Sequence, residues 1–226
     1  MAVLLNNVYI MQTDRIEARR SREEVKRVLR DLITAGKIQP GARVDEVRLS
    51  DRLGVSRTPT REAIIGLEHD GWVRSVPNRG ARVVAADEDL VREVYPILAA
   101  LEAEALQLSG ERIVAAADEL QALNDRLRTE HRRAQQHALD AAFHRRLIAD
   151  CANPRLLGLI DAHWALAKRF DGASQRGTAN HRGSCDQHQQ IIDDVAAGRV
   201  AEAAAKLRAH WHQGIEIVSE WLRSND

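Results

Sequence analysis

The chain changes texture once, near Ala85-Ala86, and that change restricts what it can become. From Asp87 onward the apolar spacing is helical in six long stretches, roughly 88–108, 111–129, 131–150, 154–171, 182–197 and 199–223. The breaks between them carry helix-stopping residues: Ser109-Gly110, Asn153-Pro154, the Gly172 to Gly183 stretch and Gly198. Amphipathic helices of this length on short connections bury their apolar stripes against one another. The expected architecture of 89–226 is therefore an all-helical antiparallel bundle of six to seven helices. No repeat of fixed period is present.

Before the boundary the segments are shorter and more varied. Residues 1–14 lack a period and are read as a flexible arm. Between Arg15 and Ala35, Val25, Val28, Leu29, Leu32 and Ile33 form one helical stripe, closed by Gly36. After the Gln39-Pro40-Gly41 turn comes an extended piece, Ala42 to Val47, and then a short helix, Leu49 to Leu53, stopped by Gly54. Ser56 is placed as the N-cap of a helix to about His69, with Ala63, Ile64 and Leu67 inward and Pro59 in its first turn. The β-branched runs Trp72 to Val76 and Ala81 to Val84 flank Pro77-Asn78-Arg79-Gly80 as a hairpin. Three helices and a two-stranded wing over 15–84 are the plan of a winged helix-turn-helix. The expected fold class is mainly α, with a linker at 85–88.

Composition supports two jobs. Lys and Arg number 33, as do Asp and Glu, so the formal charge is zero. Residues 1–86 nevertheless hold 16 basic against 11 acidic residues, leaving 17 against 22 for 87–226. Only His69 of nine histidines precedes the boundary. With 44% hydrophobic residues, no long apolar run, no secretory-type start and only Cys151 and Cys185, the expectation is a cytoplasmic globular protein without disulfides.

In the first part, Ser56, Arg57, Thr58, Thr60 and Arg61 cluster at the front of the second helix of the turn motif, where a recognition helix meets base edges and phosphates. Arg79 beside Gly80 at the hairpin tip suits a wing on the DNA backbone. Taken singly, each arginine is equally a solvated helix residue; the turn, cap and hairpin together favour DNA. The residues Pro40-Gly41, Leu49-Ser50, Leu53-Gly54-Val55-Ser56-Arg57-Thr58-Pro59, Arg61-Glu62-Ala63, Leu67-Glu68, Asp70-Gly71-Trp72 and Arg79-Gly80 resemble the GntR family of bacterial transcription regulators. The resemblance implies DNA contacts by Arg57, Thr58 and Arg61. Thr60 stands where the family usually has an aliphatic residue. Val47 stands where some members have a DNA-contacting arginine, which makes Arg48 the candidate substitute.

In the second part, Asp140 and His144 lie four residues apart, about 40° apart on one helix face. If the later helices face them, His188 and His210 complete a set of one carboxylate and three imidazoles suited to a divalent transition metal. On spacing alone, helical histidines are more often surface or core residues. Leu101-Glu102, Asp140 with Phe143-His144, Asn153-Pro154, His188 with Ile191-Ile192, Gly198 and His210 resemble the ligand-binding domain of the FadR subgroup, the FCD domain. The resemblance implies that Asp140, His144, His188 and His210 hold the metal, zinc first, with nickel, manganese or iron as alternatives. Relatives carry an arginine four residues before the first-helix glutamate; here it is Leu98, so Arg145, Arg169 and Arg182, with His181, are the candidate effector contacts. Trp164, Trp211 and Trp221 read as packing residues, and Cys185 as a small buried one.

These readings combine into a non-enzymatic, homodimeric regulator, a repressor in sense. It would bind double-stranded operator DNA and respond to a small carboxylate effector at the metal, away from any membrane. The alternatives are a metal-dependent enzyme domain fused to a DNA-binding module and a regulator whose metal is purely structural.

Overall fold

The computed structural model describes residues 3–5, 8–10, 22–77, 79–170 and 178–224, with side chains described for 22–77, 79–170 and 182–224. The chain divides into two compact units, Met1–Ala86 and Asp87–Asp226. In the first, β1 (Val3–Leu5) pairs antiparallel with β2 (Val8–Ile10), so the stretch read as a flexible arm contains a short strand pair.

Helix α1 (Arg22–Thr34) buries Val25, Leu29, Leu32 and Ile33, one stripe at three- and four-residue steps. Strand β3 (Arg43–Val44) leads into α2 (Glu46–Leu53). That helix begins three residues earlier than its apolar pattern indicates. Asp45 is the reason: its carboxylate accepts from Val47 N and Arg48 N, both at 3.1 Å, and satisfies two orphan donors of the first turn. Gly54 ends α2 in the left-handed region at φ 69°. Helix α3 (Arg57–His69) buries Ala63, Ile64 and Leu67. Ser56 precedes it in extended conformation but makes no side-chain cap bond, contrary to the expectation.

The wing has three strands, not two. β4 (Val73–Val76) and β5 (Gly80–Val83) form the hairpin, and β3 joins the other edge of β5, giving the order β3-β5-β4. Val44, Val73 and Val83 are buried on one face of this sheet, and Trp72, just before β4, is nearly inaccessible.

In the second unit, α4 (Glu88–Ser109) is capped by Asp87, which accepts from Leu90 N. Asp87 and Glu88, assigned to the linker from the sequence, are thus the cap and first residue of this helix. A 3-10 stretch (Gly110–Ala116) precedes α5 (Ala117–Thr129); α6 (Arg133–Ile148) follows. Asn153 caps α7 (Pro154–Ala167), which continues into a 3-10 turn to Phe170. Then come α8 (Thr178–Ala196) and α9 (Val200–Arg223). Helix α4 is central, packing on α7 and α9, while α8 packs on α5 and α9. At the α8–α9 turn, buried Asp194 binds Arg199 at 2.6 Å and Lys206 at 2.5 Å. Among the described residues no helix is long and apolar enough to cross a membrane.

Asp45→Ala should lower the unfolding free energy of the first unit by about 1 kcal/mol. Chemical denaturation would show this as a lower midpoint at unchanged slope, and an unshifted midpoint would remove the cap from the account.

Candidate metal centre and nucleic-acid interface

The turn between α2 and α3 presents Ser56, Arg57, Thr58 and Arg61 to solvent, with Arg57 and Arg61 one turn apart on the same face. Among the described residues no carboxylate pairs with either arginine, so both guanidinium groups can meet phosphate or base acceptors. Thr60 is a correction. It is fully buried, and its hydroxyl donates to the Ser56 carbonyl at 3.1 Å, so it packs the helix start and has no surface to offer DNA. Arg48 is exposed on α2, 3.9 Å from Asp45. Arg79 and Gly80 are exposed at the wing tip, where Gly80 takes φ 73° and needs no side chain.

The second unit brings His144 of α6, His188 of α8 and His210 of α9 together, each offering a ligand atom within 4.8 Å of the others. Asp140, one turn before His144, lies 3.6 Å from His188 Nε2. The Asp140 carboxylate is one-third exposed, and His210 is part-buried, so the cluster has an open side. Around a tetrahedral zinc with bonds of about 2.0–2.1 Å, ligand atoms stand about 3.4 Å apart. Each ring nitrogen therefore has to move inward by no more than about 0.8 Å, and the residues fit a transition metal.

What surrounds these rings decides which nitrogens are available. Glu102 of α4, fully buried, accepts from His144 Nδ1 at 2.7 Å, Trp164 Nε1 at 2.5 Å and Trp211 Nε1 at 2.7 Å. A carboxylate only accepts, so Nδ1 of His144 is the donor and Nε2 is left as a ligand. Gln187 does the same for His210: its amide nitrogen donates to Gln213, which leaves its oxygen to accept from His210 Nδ1 at 2.6 Å. The His188 ring stacks on Phe143, centroids 3.9 Å apart and nearly parallel.

Electrostatics separates the rings. Burial disfavours the charged form of His144, but the charge and hydrogen bond of Glu102, with Asp140, outweigh it and hold its pKa above the usual histidine value. Burial and the neighbouring His144 push His210 down to about 3, so it is a neutral donor at physiological pH. Burial pushes the Cys185 thiol up to about 11, which keeps it protonated and supports a packing role.

Glu102 and Gln187, which orient two of the rings, are not singled out by spacing; a glutamate among the buried apolar residues of α4 is the one signal the sequence carries for the first of them. Of the three cationic effector candidates, Arg145 and Arg182 are exposed on α6 and α8. Arg169 is part-buried in the turn after α7, where burial lowers its pKa and Asp87 partly restores it. The side chain of His181 lies outside the described residues.

Two family models match this arrangement. Residues 21–83 match bacterial regulatory proteins of the gntR family, and residues 93–213 match the FCD domain, more than half of the chain. The chain belongs to the GntR family. Its FCD unit fits the FadR-type subgroup, and it is a DNA-binding transcriptional regulator of the GntR/FCD type. This regulator is 30% identical over 190 residues to the Nta operon transcriptional regulator of Aminobacter aminovorans, covering 82% of this chain and 88% of that one. It is 27% identical over 216 residues to the transcriptional repressor GlaR of Escherichia coli, covering 88% and 96%. Among solved structures, a putative GntR regulator from Rhodococcus superposes with a TM-score of 0.60 at 25% identity, covering 87% and 96% of the two chains.

Glu102→Ala would leave three buried N–H groups without an acceptor. Unfolding free energy should fall by about 3 kcal/mol or more, and by less in Glu102→Gln, which still accepts. A melt of Glu102→Ala matching wild type would show that the carboxylate is not what ties these helices.

Proposed function

We propose that this regulator holds a divalent transition metal, zinc first, on His144, His188, His210 and Asp140, and that a small organic acid completing the coordination shell modulates its affinity for operator DNA. The observation that carries this reading is the three imidazoles with a ligand atom each within 4.8 Å of the others, two of them with Nδ1 already engaged by a hydrogen bond. Three imidazoles and one carboxylate leave positions open in a five- or six-coordinate shell. The one-third exposed Asp140 marks the side from which an oxygen ligand enters. Bound metal would supply Lewis acidity toward that oxygen; the chain's own part is to orient the rings and, by burial, to keep His210 neutral.

The first unit binds the operator through Arg57, Thr58 and Arg61 of α3, assisted by Ser56, Arg48 and the wing tip at Arg79-Gly80. The protein acts as a homodimer, so that two such units meet a two-fold operator, and as a repressor in the cytoplasm without catalysis of its own. Coupling of about 1–3 kcal/mol between the sites suffices, and it is reciprocal: effector that loosens DNA is itself loosened by DNA.

Metal content of untagged protein purified without chelator should approach one transition metal per chain, and His188→Ala with His210→Ala should lose it. Full metal in that variant would place the ligands elsewhere. On a duplex enriched from a random pool by the wild-type protein, Arg57→Ala with Arg61→Ala should weaken binding at least tenfold, since each contact to a base is worth about 1–3 kcal/mol. Unchanged affinity at fixed salt would sink the assignment of α3.

A further inference from the structure

We infer that the three rings of the cluster hold a metal unequally: His144 and His188 are fixed ligands, while His210, held by the neutral carboxamide of Gln187, is the releasable ring through which an ion enters and leaves. The inference rests on the metal reading of the cluster. Two of the rings are engaged at Nδ1, but by groups of different charge. Glu102 gives His144 an anionic acceptor at 2.7 Å, and Gln187 gives His210 a neutral one at 2.6 Å. An imidazole that donates to a carboxylate carries more negative charge on its other nitrogen than one that donates to an amide. It is therefore the stronger ligand for a cation.

The setting of each ring points the same way. His144 is fully buried, with its ring packed against Phe143, Trp164 and Trp211. Its acceptor Glu102 also takes both indole N–H groups, so the ring cannot turn without disturbing a joint of four helices. His188 is fully buried too and lies against Phe143 with the ring planes 14° apart. His210 is only part-buried, and its aromatic neighbours are the other two histidines, at 5.2 and 4.9 Å. Gln187, which holds it, is half-buried and donates in turn to Gln213, exposed on α9. Water competes for amides at the surface, so this pair secures its ring far less firmly than Glu102 secures His144. His210 can swing aside while His144, His188 and Asp140 keep their places. Gln187 is thus a positioning residue, and its lack of charge sets how long an ion stays.

The test loads the full chain with zinc and follows transfer of the ion to excess 4-(2-pyridylazo)resorcinol, a chromogenic chelator, by stopped flow. Gln187→Glu puts a carboxylate behind His210 and should slow zinc release by about tenfold or more. Gln187→Ala should speed release by about the same factor. The opposite signs are the signature, since a residue that only packs would release zinc faster with either replacement. The slowing in Gln187→Glu should persist at high salt, because a hydrogen bond is not screened as a bare surface charge is. Release from Gln187→Glu at or above the wild-type rate, in protein that melts like wild type, overturns the proposal while leaving the metal site in place. A slowing that vanishes at high salt overturns it as well. Wild-type protein that takes up no zinc overturns the metal reading itself.

Discussion

A single buried carboxylate organises the second unit. Glu102 sits in the middle of α4 with no solvent contact and takes N–H groups from His144 of α6, Trp164 of α7 and Trp211 of α9. Burying an isolated charge is prohibitive, so this carboxylate is tolerable only because three donors and a basic imidazole meet it. The same bonds that make it tolerable join four helices and set the orientation of the first imidazole in the metal cluster. Stability of the bundle and readiness of the site are thus consequences of one interaction.

From that point the rest of the centre is built outward. His144 is held by Glu102, and His188 lies flat against Phe143. His210 is aimed by a glutamine that is itself oriented by a second glutamine. The aromatic residues belong to the same construction: Trp211 stands edge-on to Trp164 and to Tyr95. Gly214 lets the Tyr95 ring approach α9, since a β-carbon there would lie 3.3 Å from it. The tryptophans are packing residues, as their spacing indicates, and their indole N–H groups are also the polar contacts that Glu102 requires.

How much of this could be read in advance follows from the range of the forces. The long helices and the breaks at Gly110, Asn153-Pro154 and Gly198 come from period and local caps, which a sequence displays. Helix α2 starts ahead of its apolar pattern because the local cap at Asp45 overrides that pattern. Thr60 is withdrawn from the DNA face by a bond its sequence position does not reveal, from its hydroxyl to the Ser56 carbonyl. The third wing strand and the partners of Glu102 and Gln187 depend on residues far along the chain, and no local pattern contains them. Helical spacing and the family resemblance point to the four candidate metal ligands; what the fold adds is the proximity of the three imidazoles and the hydrogen bonds that orient two of them.

The two units differ in charge and chemistry: the first is basic and rich in arginine, and the second gathers three histidines with Asp140 beside them. The central claim is that Asp140, His144, His188 and His210 are the metal's protein ligands. Zinc-edge X-ray absorption of the zinc-loaded full chain tests it most directly. The account predicts nitrogen and oxygen neighbours at about 2.0–2.2 Å, scattering from three imidazole rings and no sulfur. A sulfur neighbour at about 2.3 Å, or a shell with no more than one imidazole, would contradict it.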